Sequence, residues 1–402
     1  LVGSEMCIRD RGETEPEYSA GDTVKITKAT QFYAVRRKSN YYTVSYYLGN
    51  GSTNAAYQKL TQTVEEGTVV TFAKVPARTG YVNQGWSSKK NSEKATAKAK
   101  CTVNKNITLY AVQKKAVQLT FHRCDGSTWQ KTTLAKGSSY SLPGVRDAEG
   151  YTFMGWSTKP MQSVSPQYEA EEKITVNGNV DLYAVVFNRT TETDLTEDQL
   201  PQVDIYKYKQ VIFVGDSRTE FMENVLTGMG ESATKNVKFV CSAGKGLDWF
   251  TTTGWAQLYS IVQHDSNSIL SKKTAVIFNF GVNDLSKSAD YAEYYNWIAP
   301  QLKSKGCELY FMSVNPVNRL MLPNAGRADR SEAAVRSFNQ YMKANLSSAY
   351  TYIDMYSYLK STGYSFASDH YGTGTVDDGL HYTTRTYKRI FAKCMDSLRV
   401  PA

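Results

Sequence analysis

Residues of the types that move protons and stabilise charge stand at the ends of several apolar runs of this chain. Ser217 closes "QVIFVGDS", Gly244 and Gly246 lie in "CSAGKG", Asn283 lies in "FGVND", and Asp378 and His381 lie in "VDDGLHYT". A serine hydroxyl is a poor nucleophile until a base takes its proton, and that base is most often a histidine oriented by a carboxylate. Asp378 precedes His381 by three residues, so one turn of backbone can aim both side chains inward. Acyl transfer also needs donors for the developing oxyanion, and the Ser217 N–H, a glycine N–H and the Asn283 amide could supply three. Gly244 suits this role because backbone must approach the substrate oxygen closely, with Gly246 as the alternative.

Four histidines are present, and the other three fit less well. His122 belongs to a strand pattern in another domain, His264 to a polar stretch, and His370 to a Gly/Asp-rich loop. Asp377 competes with Asp378, but the three-residue spacing favours Asp378. Asp216 and Asp284 read as structural, holding their loops by hydrogen bonds to nearby backbone. Each motif alone has a bland reading. Gly-Asp-Ser is a common turn, Asn and Asp end strands, and Asp-x-x-His could cap the last helix, although Thr383 or Thr384 is the better N-cap. Their conjunction is what points to chemistry.

The elements that would position these groups alternate strand and helix. Strand patterns cover 210–215, 236–242, 274–281, 307–314 and 351–355, with amphipathic stretches at 290–304 and 331–346 and a final helix after His381. That alternation implies a parallel sheet covered on both faces, whose active groups collect at the carboxyl ends of strands. No Gly-x-Ser-x-Gly elbow occurs.

In this order the blocks resemble the SGNH hydrolase (GDSL esterase/lipase) superfamily over residues 207–400. Gly215-Asp216-Ser217 matches its first block, Gly244 its second-block glycine, Gly281 to Asp284 its third block and Asp378 to His381 its fifth. Arg218 stands where the family's namesake leucine would be, which weakens a lipase label. The resemblance implies a flavodoxin-like three-layer α/β/α fold, no metal or cofactor, and ester hydrolysis through an acyl-serine.

Ahead of this region the chain repeats itself. "GYVNQGWSSK" at 80–89 returns as "GYTFMGWSTK" at 150–159, and "NKNITLYAV" at 104–112 returns as "NGNVDLYAV" at 177–185. A third ending, "KATQFYAV" at 28–35, marks a truncated copy. Alternating openings at 42–48 and 117–123 predict small β modules. These landmarks resemble the Listeria–Bacteroides, or internalin-type B, repeat, whose resemblance implies a β-grasp-like fold and occurrence on bacterial surface proteins. Trp86 and Trp156 are expected to fill their own small cores rather than bind a partner. The Lys-rich stretch 89–105 reads as a solvated face.

Bulk properties limit the alternatives. The net charge of +9 is spread over both halves, without a basic block, so nucleic-acid binding is not expected and a weak preference for anionic polymers is all it supports. No apolar run has the length of a membrane span. The six cysteines show no Cys-x-x-Cys spacing and read as structural thiols.

The expected organisation is 1–11 as non-native read-through, 12–40 a truncated repeat, 41–115 and 116–189 full repeats, 190–206 a polar linker and 207–402 the hydrolase domain. A signal peptide, if the protein has one, is expected upstream of this sequence. The function expected is an extracellular or cell-surface serine esterase, with O-deacetylation of a polysaccharide or cell-wall glycan as its reaction. The repeats would engage the cell surface or an extracellular polymer. Asn315, Arg319, Arg327 and Arg330 could meet a glycan, although solvated surface is the preferred reading. The alternatives are an adhesion protein with a non-catalytic hydrolase-like domain, and a lipase on longer acyl chains.

Overall fold

A computed structural model describes residues 17–19, 21–32, 39–263, 272–322, 330–368 and 377–399. The segment 1–11, Arg327, His264 and His370 lie outside the described residues. The chain divides into two compact units, Leu1–Ala116 and Val117–Ala402.

The first unit is a small β module. Its strands are β1 (Tyr41–Tyr47), β2 (Gln62–Glu65), β3 (Val69–Thr71), β4 (Tyr81–Ser87), β5 (Lys100–Thr102) and β6 (Ile107–His122), of which β6 passes into the second unit after Ala116. β1 runs parallel to β6 and antiparallel to β2, and β4 runs antiparallel to β6. The short helix α1 (Ala55–Gln58), capped by Asn54, follows β1. Trp86 is buried among Tyr46, Tyr57 and Leu109, with its indole N–H donating to the Ala73 carbonyl at 2.6 Å. The described residues of 12–40 form no strand. In the full copies each ending pairs with an opening strand, and no such strand occurs among the described residues of 12–40.

The second unit contains the other repeat and the region after it. β7 (Thr128–Ala135), β8 (Ser138–Ser141), β9 (Tyr151–Ser157), β10 (Lys173–Val176) and β11 (Val180–Asn188) complete the repeat. β11 runs parallel to the Leu119–His122 part of β6 and antiparallel to β9. Trp156 repeats the arrangement of Trp86: it is fully buried and donates to the Pro143 carbonyl at 2.8 Å. Both tryptophans therefore fill cores, as expected of large aromatics in small modules.

Segment 190–206, read from its acidic, polar composition as a linker, is instead packed. Leu200 and Val203 join a core with later residues, and buried Glu192 pairs with Arg389 at 2.9 Å and accepts from the Ser365 and Thr386 hydroxyls at 2.5 Å. Composition misleads here because the acidic side chains have buried partners almost two hundred residues away.

From 208 onward the sheet is wholly parallel, in the order β13-β12-β14-β15-β16. Its strands are β12 (Tyr208–Gly215), β13 (Val237–Cys241), β14 (Lys273–Asn279), β15 (Cys307–Met312) and β16 (Tyr350–Ile353). Ile212 and Val214 of β12 face one core and Val211 and Phe213 the other, the period of two expected for a doubly covered strand.

On the first side lie α4 (Leu247–Trp249), a π turn, α5 (Trp255–Gln263), α6 (Ser288–Lys303) and α7 (Glu332–Asn345). On the second lie α2 (Ser217–Thr227), α3 (Glu231–Thr234), α8 (Met355–Thr362) and α9 (Thr384–Ser397). A hairpin of β17 (Phe366–Ser368) and β18 (Asp377–Tyr382) precedes α9. This is the expected three-layer α/β/α arrangement, with small β modules ahead of it.

Candidate active site

Strand β12 delivers Ser217 to its carboxyl end and into the first turn of α2. The turn is made by Asp216, the N-cap, whose carboxylate accepts from the Arg218 N–H at 3.0 Å. Ser217 therefore opens a helix, where backbone N–H groups lack partners within the helix and the dipole favours negative charge. Burial pushes the Asp216 carboxyl up to about 6, against the pull of the neighbouring Arg218 charge.

His381 and Asp378 arrive on β18. The Ser217 hydroxyl lies 2.8 Å from His381 Nε2, and His381 Nδ1 lies 2.6 Å from Asp378 Oδ2. Asp378 Oδ1 accepts from the backbone N–H groups of Leu380 and His381, at 2.8 and 2.7 Å. Burial opposes the charge on Asp378, but the bonds from His381 and the backbone hold its carboxyl below the usual range. An ionised carboxylate only accepts, so Nδ1 carries a proton, and in the neutral imidazole Nε2 is then the acceptor for the Ser217 hydroxyl. All three residues are buried. Phe221, one turn along α2 from Ser217, meets the imidazole edge-on at 4.6 Å between ring centroids. Of the two adjacent aspartates, Asp378 makes the bond to the imidazole.

The loops after β13 and β14 bring up the remaining residues. Asn283 donates through Nδ2 to the Lys245 carbonyl at 2.8 Å and accepts from Arg330 at 2.6 Å. Gly244 has a left-handed φ of +69°, and a Cβ there would meet open space, whereas one on Gly246 would collide with the Asp284 carboxylate. Asp284 itself accepts from the Leu247 N–H at 3.0 Å and the Tyr291 hydroxyl at 2.7 Å. Asp216 and Asp284 thus hold backbone, as their positions suggest. Glu220 on α2 accepts from the Ala243 N–H at 2.6 Å, tying the second loop to the helix that carries Ser217.

Arg218 is the residue whose part the motif does not convey. Its guanidinium is buried and donates to three carbonyls: Leu380 at 3.0 Å, Asn315 at 3.1 Å and Pro316 at 3.0 Å. It links the residue after the serine to the residue before the histidine. Position alone signals it, as a charged residue in the first turn after a buried strand, but nothing local identifies its distant acceptors.

Among the candidate loop residues, Asn315 is buried and Arg319 pairs with Glu171 of the second repeat at 3.1 Å. His122 donates or accepts at Asp181, 2.7 Å away, far along the chain from these groups. Among the described residues no cluster of three or more His, Cys, Asp or Glu could hold a metal ion, and no disulfide links the cysteines. No helix among them is long and apolar enough to cross a membrane.

Comparison with known proteins gives the context. Residues 42–112 and 118–185 match the Listeria-Bacteroides repeat domain, and residues 211–394 match the GDSL-like lipase/acylhydrolase family. A protein of Evansella cellulosilytica described as a Gly-rich membrane protein is 27% identical over 169 residues, which are 42% of this chain and 18% of that relative. The chain thus spans under a fifth of that protein.

Among solved structures, one described as an acylhydrolase from Bacteroides fragilis is 16% identical, with 50% of this chain and 92% of that one covered and a TM-score of 0.35. The catalytic domain of peptidoglycan O-acetyltransferase A from Streptococcus pneumoniae is 16% identical, with 48% and 94% covered and a TM-score of 0.30. An acetylxylan esterase of Geobacillus stearothermophilus is 11% identical, with 48% and 96% covered and a TM-score of 0.30. By the two family matches, residues 211–394 form a GDSL-like lipase/acylhydrolase domain, a carboxylic ester hydrolase, preceded by two Listeria–Bacteroides repeats.

Proposed function

We propose that Ser217, His381 and Asp378 form the catalytic triad of this esterase, and that its natural reaction is O-deacetylation of a polysaccharide or cell-wall glycan outside the cell. The observation that carries the reading is the unbroken hydrogen-bond chain from the Ser217 hydroxyl through His381 to Asp378. Ser217 Oγ attacks the ester carbonyl carbon while His381 Nε2 takes its proton. The same imidazolium, stabilised by Asp378, then protonates the departing alkoxide, leaving an acyl-serine and the free alcohol. Water, deprotonated by His381, attacks the acyl-serine and releases the acid, and the proton returns to Ser217.

The oxyanion is held by the Ser217 and Gly244 N–H groups and the Asn283 amide. Open space at Gly244 supports that choice over Gly246, which packs on Asp284. An amide nitrogen has two N–H groups, so the bond from Asn283 to Lys245 leaves one for substrate.

Support for a small acyl group on a polar alcohol comes from the polar residues of the flanking loops, Lys245, Asn283 and Arg330. Support for an extracellular polymer comes from the repeats, a type found on surface proteins. The test is acetate release from a panel of acetylated glycans, with p-nitrophenyl acetate and a longer-chain ester alongside. Ser217→Ala or His381→Ala should lower turnover by several orders of magnitude, and Asn283→Ala by about a hundredfold. Full activity in Ser217→Ala would refute the assignment. Faster turnover of the long-chain ester would refute deacetylation.

A further inference from the structure

The second repeat is joined to the hydrolase by more than the chain. Met154 and Val185 are fully buried and Phe187 nearly so, all within the core that contains Tyr208, Leu359, Tyr364 and Tyr382 of the hydrolase. A Cβ on Gly363, which ends α8, would run into the Phe187 ring. Lys360, buried on α8, reaches back to the repeat: its ammonium lies 2.8 Å from Glu169, donates to the Met154 carbonyl, and meets Glu332 at 3.2 Å.

A second group of contacts bears on the site itself. Asn318 donates its side-chain N–H groups to the Val145 carbonyl at 3.0 Å and to Asp147 at 2.8 Å, both in the repeat. Its backbone N–H donates to the Gly379 carbonyl at 2.8 Å. Gly379 follows Asp378 and precedes Leu380-His381, and its φ of +67° and crowding against the Asn318 carbonyl admit only glycine comfortably. Repeat, Asn318 and β18 are thus consecutive links. Asp147 is in turn fixed by Arg189 at 2.8 Å, with its side chain wholly inaccessible.

The first repeat lacks this face. Through the shared landmarks, Met154 corresponds to Gln84, Asp147 to Ala77 and Phe187 to Lys114. Gln84 is exposed. Copies of one fold therefore differ at the positions that dock.

We infer that the second repeat is a built-in brace of the esterase, which holds the strand carrying Asp378 and His381 in place through Asn318, rather than an appended binding module. The consequence for activity rests on the catalytic reading above. The structural consequence does not.

The test uses the full chain with three test variants and two controls in the first repeat. The three are Met154→Gln and Phe187→Lys, which give the second repeat the residues of the first, and Asn318→Ala, which leaves both folds intact but removes the brace. Hydrogen exchange at the β18 amides and calorimetry are read beside p-nitrophenyl acetate kinetics. Expected are one unfolding transition shared by the second repeat and the hydrolase, and at least tenfold faster β18 exchange in Asn318→Ala. In that variant kcat should fall about tenfold, with KM within twofold. Gln84→Met and Lys114→Phe in the first repeat should change neither exchange nor kcat. Separate transitions for the second repeat and the hydrolase, or unchanged β18 protection in all three variants, would overturn the inference. Lost protection in a chain inactive on every ester would refute the catalytic reading and uphold the brace.

Discussion

Arg218 lies outside the proposed triad, yet its guanidinium reaches the strand that carries His381. Three of its five N–H groups are committed to carbonyls on two other segments, one of them next to His381. Lysine cannot span three such acceptors with one ammonium, so Arg218→Lys should lower kcat about tenfold with KM nearly unchanged. Arg218→Gln should lower it further, because buried carbonyls then lose their donors. Kinetics of both variants across pH check this: a change confined to folding would reduce the active fraction and leave the pH profile in place.

Asp216 makes a separate prediction. Its folded pKa is raised by burial, so the folded state binds its proton more tightly than the unfolded chain does. As pH rises from about 4 to about 6 the wild-type chain loses stability, and above that window the loss is complete. Asp216→Asn keeps the capping oxygen and removes the titration. Its unfolding midpoint, relative to wild type, should therefore rise across that window and stay level above it, by on the order of 3 kcal/mol at most. Ser217, Asp378, His381 and Asn283 could be picked out in the sequence because their chemistry demands particular residue types at strand ends. Arg218 and Glu220 could not, since their partners are backbone atoms that carry no side-chain signature.

At the scale of elements, the three inner strands β12, β14 and β15 were legible because both of their faces are largely buried. The edge strands β13 and β16, which carry exposed Lys238 and Thr351, were legible mainly by their β-branched and aromatic residues. The hairpin that carries the histidine was not. β18 has the sequence "DDGLHY", polar and interrupted by glycine, and among the described residues it pairs with three-residue β17 alone. Its conformation comes from contacts rather than propensity. Asp378 binds the Leu380 and His381 N–H groups, Arg218 binds the Leu380 carbonyl, and Asn318 binds the Gly379 carbonyl.

Thr383, one of two adjacent threonines that the sequence offers as a cap, then starts α9 by accepting from the Thr386 N–H. Gly379→Ala tests the whole arrangement. A Cβ there meets both left-handed strain and the Asn318 carbonyl, so β18 must shift. Ester turnover should drop at least a hundredfold, with melting lowered by a few degrees. Thr383→Ala, by contrast, should cost about 1 kcal/mol of stability and leave kcat within a few-fold, because it loosens the helix after the histidine and not the strand under it.

The whole molecule brings two similar cores into different energetic settings. Trp86 and Trp156 are matched in burial and in the carbonyl that each indole N–H engages, so replacing either by alanine opens a comparable cavity and costs about 3–5 kcal/mol locally. For the first repeat that is a large share of the stability of a small module, and its unit has a core of its own. Trp86→Ala should therefore melt the first unit early while leaving ester kinetics at the wild-type value. In the second repeat the same loss reaches further. Trp156 and Phe153 lie on the module's own core, and Met154 between them lies in the hydrolase core, so loosening β9 loosens both. Trp156→Ala should lower the melting temperature of the hydrolase and its ester turnover together. Calorimetry with kinetics on the two variants decides the matter: equal and harmless losses in both repeats would show that the modules are interchangeable, and an effect confined to Trp156 would show that only the second belongs to the enzyme.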